Sequence, residues 1–365
     1  MNANEEKITS VAGFIDRVNS TIQKNKKPHR RFLYRGEGQI RNTSCTPNIF
    51  RKLDFSSNDY YEKSLFDIIK QNKLLQSNTY LENAIDAQHG EFPSRLLDVS
   101  YNSLIALYFA VTPYYNKEIT VHDNKDGIVF VFFADELFSP SAENTRKYFD
   151  AIINKTEPWL NSILFSKVHK IIDHTKINNR IIAQQGAFIL FQGKDAELIP
   201  RYMYDTIVIS KESKAKIREE LSSLFGLTKS FVYPEMMNYV DDLSEKNRIV
   251  NTEPFCCENE LRYVIETFSN ELNYFQRVLW QERGSMEIPS KREDFFKMVQ
   301  EIEMIINSYK VGIVDLLDHR KQYKVKEDPD HPFLDKIKER YNQLVENFIH
   351  QMNYLDVKIS DSLKI

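Results

Sequence analysis

The sequence predicts an α+β domain, with a mixed or antiparallel sheet and flanking helices, followed by a helical region that ends in a coiled-coil-like hairpin. Three observations carry this expectation. Over residues 1–250, amphipathic helical stretches alternate with short runs of β-branched and aromatic residues, as in a sheet covered by helices. No Gly-rich phosphate loop interrupts them, which argues against the doubly wound nucleotide folds. Over residues 251–365 the strand signals stop, and apolar residues recur every three or four positions.

Residues 6–23 place Ile8, Val11, Phe14, Ile15 and Val18 on one helical stripe. A basic link leads to a short strand around Phe32 to Arg35, and a polar loop runs from Glu37 to Pro47. Residues 58–75 form a second helix through Tyr61, Leu65, Ile68, Ile69 and Leu74, and a third spans Tyr80 to Gln88. That helix delivers His89 at its end, where Gly90 can take a left-handed cap. Asn102 has the character of an N-cap for an apolar helix over 103–112, which stops ahead of Pro113. The continuous run Ile128 to Phe133 is a buried strand, 187–192 and 206–210 are two more, and Lys211 to Phe225 is helical. Beyond residue 255, Phe295, Met298, Ile302, Ile305, Tyr309, Gly312 and Leu316 form one seam. Leu334, Ile337, Tyr341, Leu344, Phe348, Met352 and Leu355 form another, past a Pro-marked turn. Such a hairpin buries its seam on itself, on the first domain or on a second copy, so a homo-oligomer through these helices is one expectation and a helical cap the other.

Formal net charge is −3, so no global field selects a polyanionic partner and nucleic acid is not expected. Charge is uneven, however: residues 21–52 hold nine Lys and Arg against one acid, Glu37. That excess favours a phosphate-bearing ligand, or is a solvated face balanced by acids elsewhere. Three cysteines, two of them vicinal, give neither a disulfide framework nor metal-ligand spacing and suit a reducing cytosol. The N-terminus lacks the apolar core of a signal peptide, and no apolar run approaches the ~20 residues of a membrane helix. A cytoplasmic protein without membrane partners is the expectation.

The densest polar segment runs from Gln88 through His89, Gly90, Glu91, Pro93, Ser94 and Arg95 to Asp98, ahead of the apolar helix. His89 can donate and accept near neutral pH. Arg95 and Asp98 form an i,i+3 pair if that stretch is helical; if it is extended, Arg95 is free to grip a phosphate. Arg35 stands on a strand beside Gly36, whose missing Cβ would let a ligand approach the backbone.

These residues resemble the FRG domain, a bacterial family named for its Phe/Tyr-Arg-Gly signature. The matching positions are Tyr34, Arg35 and Gly36, then Gln88, His89 and Pro93 through Asp98, then Ala106 through Ala110. Weaker matches lie at Arg180 to Phe188, and at Leu224 to Gly226 leading to Tyr233, Pro234 and Glu235, where family members often carry Phe-Pro-Asp. The likeness covers roughly residues 25–245.

The strand-borne Arg-Gly is also similar to Arg-Ser-Glu ADP-ribosyltransferases, though no Ser-Thr-Ser strand follows it. That resemblance implies an NAD cofactor and a catalytic set of Arg35, His89 and Glu235, the acid supporting the oxocarbenium-like transition state. Tyr34, Gly36, Gln88, Arg95, Asp98, Gln184 and Gln185 would then bind ligand, and a protein would be the acceptor. An intracellular effector in toxin or phage defence is the setting implied. A non-catalytic interaction module, with these polar residues closed on one another, is the alternative. Other chemistries lack their signatures. His169 and His174 are five apart in an expected helix, and no His-Glu-x-x-His occurs, so no metal is expected. Cys45 has no dyad signature, and no Gly-x-Ser-x-Gly occurs.

Overall fold

Alternation along β1 (Arg31–Glu37) sends Leu33, Arg35 and Glu37 to one face of a sheet and Phe32, Tyr34 and Gly36 to the other. The computed structural model describes residues 6–52, 61–72, 77, 79–87, 92–113, 118–173, 178–193, 197–323 and 332–365. The chain forms two compact units, Met1–Ile249 and Val250–Ile365.

In the first unit, β2 (Leu96–Ser100), β3 (Gly127–Ala134), β4 (Lys170–Ile172), β5 (Gly186–Leu190) and β6 (Tyr204–Ile209) join β1 in one sheet of order β4-β5-β2-β1-β3-β6. Every neighbouring pair is antiparallel, so the α+β expectation holds with its antiparallel alternative. The ladders differ in extent. β1 pairs with β3 along its whole length, but with β2 at Tyr34 opposite Ser100 alone.

The face carrying Tyr34 is covered by α1 (Val11–Lys24), α5 (Ser103–Val111) and α7 (Lys214–Phe225). Ser10 caps α1 by accepting from the Gly13 N–H, and Asn102 caps α5 by accepting from the Leu104 N–H, as its sequence suggests. Only glycine allows α5 to lie so close to the sheet. A Cβ on Gly36 would stand 1.7 Å from the Ala106 carbonyl oxygen, and one on Gly127 would stand 2.3 Å from that of Ala110. Toward β4, the same face packs on α3 (Tyr61–Gln71), α4 (Tyr80–Ala87) and α6 (Glu143–Asn154). The opposite face, through Leu33, Leu97, Val99, Ile128, Phe130 and Ile189, is covered instead by irregular chain: Cys45, Phe50 on α2 (Asn48–Lys52), and Ile199.

One expectation needs correction here, and one open alternative is decided. The segment around His169 is not helical. His169 precedes strand β4, whose three residues are too few to show a period of two; His174 lies outside the described residues. The Arg95 to Asp98 stretch is extended as β2, which rules out an i,i+3 pair on a helix.

The second unit is helical, as expected, with a third long helix, Cys257–Glu282, ahead of Pro289–Asp318 and Phe333–Asn353. Their seams close on one another around Phe268, Ile306, Tyr341 and Met352. Along the middle helix the buried series is Phe295, Val299, Ile302, Ile306 and Ile313, while Gly312 is exposed. The seam keeps its steps of three, four and seven, but Val299, Ile306 and Ile313 occupy it one position on from Met298, Ile305 and Gly312. Tyr341, fully buried, donates its hydroxyl to the carbonyls of Ile306 and Leu363.

Candidate functional site

A charged pair on an apolar sheet face needs partners, because burial of an isolated charge costs several kcal/mol. Arg35 and Glu37, two apart on one strand, are neighbours on such a face. Arg35 Nε donates to Glu37 Oε1 at 3.0 Å, and its Nη1 donates to the Asp98 carbonyl at 2.7 Å. The second bond crosses the gap where β1 and β2 have parted, so a side chain supplies what the ladder no longer does. Glu37 is buried, and its Oε1 also accepts the Cys45 N–H at 3.0 Å, with Arg51 Nη2 at 3.9 Å. Its Oε2 is buried without a hydrogen bond of normal geometry. Cys45 presents its N–H from a left-handed backbone, φ 57°.

The electrostatics follow from this crowding. Burial acts to raise the Glu37 carboxyl, but the Arg35 guanidinium and the Cys45 N–H outweigh it and hold it below the usual range. Burial lowers Arg51, and Arg35 and Arg41 repel it further while Glu37 opposes them. Burial also pushes the Cys45 thiol up, which leaves it a poor nucleophile. Two guanidiniums, of Arg35 and Arg51, thus share one buried carboxylate, with Arg41 near Arg51 and Asp98 at the rim.

Two hollows open beside them. A small inner depression is lined by Arg35, Thr46, Asn48, Ser94, Leu97 and Asp98. A larger cavity of about 540 Å³ lies between the loops at 40–46 and 197–201, over Ile128 and Phe130 of β3 and Tyr204 and Thr206 of β6. Thr46 lines both.

The FRG domain family model matches residues 30–118, from the start of β1 past the end of α5. The chain carries an FRG domain. No curated protein and no solved structure matches it. The FRG match contains Arg35, Glu37, Cys45, Arg51 and Asp98, so the cluster lies within its span.

The structure sorts the residues proposed from sequence. Arg35 and Asp98 come together. Arg95 does not join them; it is buried, with its Nε 2.9 and 3.1 Å from the two Glu62 oxygens and its Nη1 donating to the carbonyls of Phe191 and Gln192. An extended backbone was expected to free Arg95 for a ligand, but an acid from α3 takes it instead. Tyr34 is buried toward α5, and the space beside Gly36 is filled by the Ala106 carbonyl, so neither faces a ligand. Gln184 donates Nε2 to the Val232 carbonyl, and Gln185 is the left-handed cap of the helix Asn179–Gln184. Glu235 accepts from Asn238 at 3.0 Å and lies 3.7 Å from Arg180. It follows Tyr233, which packs in the core on the Tyr34 face, so the sheet separates Glu235 from Arg35. Gln88 and His89, like Gly90 and Glu91, lie outside the described residues.

Sequence reasoning missed Thr46, Glu62 and Tyr204, and gave Arg51 only as part of the basic stretch over 21–52. Period two on β1 was the available signal for the Arg35–Glu37 pair. Nothing local marks the others, which arrive from separate loops and elements. Among the described residues, no group of three or more His, Cys, Asp or Glu could hold a metal, and no helix is long and apolar enough to cross a membrane.

Proposed function

We propose that the FRG-containing unit binds a phosphate-bearing, NAD-like nucleotide in the cleft between the loops at 40–46 and 197–201. The observation that carries this reading is the surplus of guanidinium: Arg35 and Arg51 share the single buried carboxylate of Glu37, Arg35 lines the inner depression, and Arg41 lines the adjoining cavity of ligand size. Arginine suits phosphate because its planar fork donates in pairs. The reading extends to ADP-ribosyl transfer or NAD cleavage, without Glu235, which lies across the sheet from Arg35. An intracellular effector role in toxin or phage defence is the setting that the FRG resemblance implies.

A second reading, a non-catalytic interaction module, is favoured by one observation. Arg35 and Arg95 are both engaged by internal acceptors. Titration calorimetry of the full chain with NAD, ADP-ribose and ADP separates the two readings, with nicotinamide release followed in parallel. Binding that falls at least about tenfold in Arg51→Gln, the loss expected for one charged hydrogen bond, supports the nucleotide reading. No binding by the wild type, with a melting temperature indifferent to all three ligands, leaves the interaction module.

A further inference from the structure

The larger cavity is not uniformly cationic. Its floor is aromatic: the Tyr204 ring lies 5.6 Å from Phe130, centroid to centroid and tilted by 60°, and 5.8 Å from Phe132. Those two phenylalanines are themselves stacked at 6.2 Å along β3, so the half-buried Tyr204 ring is held in a fixed attitude at the sheet edge. The Arg201 guanidinium lies 4.7 Å from the Tyr204 centroid. Asn42, Ser44 and Thr206 bring amide and hydroxyl groups to the same walls. Arg41 and Arg201 stand against one acid there, Glu197. Rings and guanidinium planes both stack on nucleobases, and hydroxyl and amide groups read base edges. Sugar phosphates and inorganic anions gain little from such a floor.

We infer that the cleft has two subsites joined at Thr46, an inner one for phosphate beside Arg35 and an outer one for a planar base on Tyr204 and Arg201. The ligand class is then a nucleoside polyphosphate, and Tyr204 is its base-selecting residue. This assignment rests on the nucleotide reading above.

The test uses the full chain, with ADP and inorganic pyrophosphate as the paired probes. They share phosphates and differ by the nucleoside. Wild type is expected to bind ADP roughly tenfold more tightly than pyrophosphate, the margin of one base–aromatic stack. Tyr204→Ala removes that margin and leaves pyrophosphate unchanged, whereas Tyr204→Phe keeps it. If Tyr204→Ala does not fold, Arg201→Gln on the exposed rim carries the same expectation of weakened ADP alone. Folded Tyr204→Ala that binds ADP as wild type does, or loses both probes alike, overturns the outer subsite while nucleotide binding stands. A wild type that binds pyrophosphate as tightly as ADP also overturns it. A wild type that binds neither probe overturns both readings.

Discussion

Arg95 and Glu62 form a buried ion pair, with the guanidinium straddling both carboxylate oxygens and its other arm tied to the carbonyls of Phe191 and Gln192. The pair joins α3 to the start of β2 and to the chain leaving β5. Removing one member strands the other without solvent. Arg95→Ala is therefore expected to lose on the order of 3–5 kcal/mol of unfolding free energy, and Glu62→Gln a comparable amount. Arg95→Met combined with Glu62→Met is expected to recover much of it. Urea denaturation of the three variants measures this; a double variant as unstable as Arg95→Ala contradicts the stranded-charge account.

Glu37 makes the site acid-sensitive. Its folded pKa is depressed by Arg35 and the Cys45 N–H in spite of burial, so its contribution is fully present above the unfolded value and is lost as pH falls through the folded one. Unfolding free energy of the wild type should fall as pH drops below ~4.3, the ordinary glutamate value. Glu37→Gln, less stable at pH 7, should show a shallower fall. Parallel pH profiles for the two proteins would refute the assignment.

Lys214 gives a slope of the same sign on the alkaline side. It is fully buried on α7, and its Nζ donates to the carbonyls of Gly38 and His122, tying down the start of the loop that lines the cleft. Burial lowers its pKa to about 8. The unfolded chain binds the proton more tightly, so native stability from this group rises between about pH 8 and the unfolded value near 10.4. Wild type should gain on Lys214→Met by on the order of 1–3 kcal/mol across that window. A pH-independent difference between the two would show the amine to be unperturbed.

Two glycines should respond to alanine in opposite directions. At Gly36 the added Cβ meets a backbone oxygen, which no rotamer change can relieve. Gly36→Ala is expected to cost about 3 kcal/mol or more, or to abolish soluble expression. At Gly312, exposed in the middle of a long helix with nothing within 4 Å of the new methyl, Ala should stabilise by about 0.8–1 kcal/mol. Thermal melts of both variants check the contrast.

Local chemistry explains what was legible in the chain. The Asn102 cap, the β-branched run at 128–133 and the amphipathic stripe of α1 each report their structure within a few residues. β4 and β2 were not legible as strands, one because it is three residues long and the other because its polar signature masked its alternation. The partners of the arginines were least legible of all. Glu62 meets Arg95 across 33 residues, and the Asp98 carbonyl meets Arg35 across 63. Pairings at such separations are decided by topology, which composition does not encode. In the seam over 295–316 the repeat was legible but one half of its register was not: Val299, Ile306 and Ile313 are buried where Met298, Ile305 and Gly312 were expected.

Because β1 and β2 meet at one residue pair, the sheet is in effect two three-stranded blades, β4-β5-β2 and β1-β3-β6, laid edge to edge. Parting them along this line breaks far fewer ladder bonds than parting any other neighbours would, and the Arg35 link to Asp98 spans it. A molecule gripped from both blades would act as a staple, and the gap would then be where occupancy is felt by the whole scaffold.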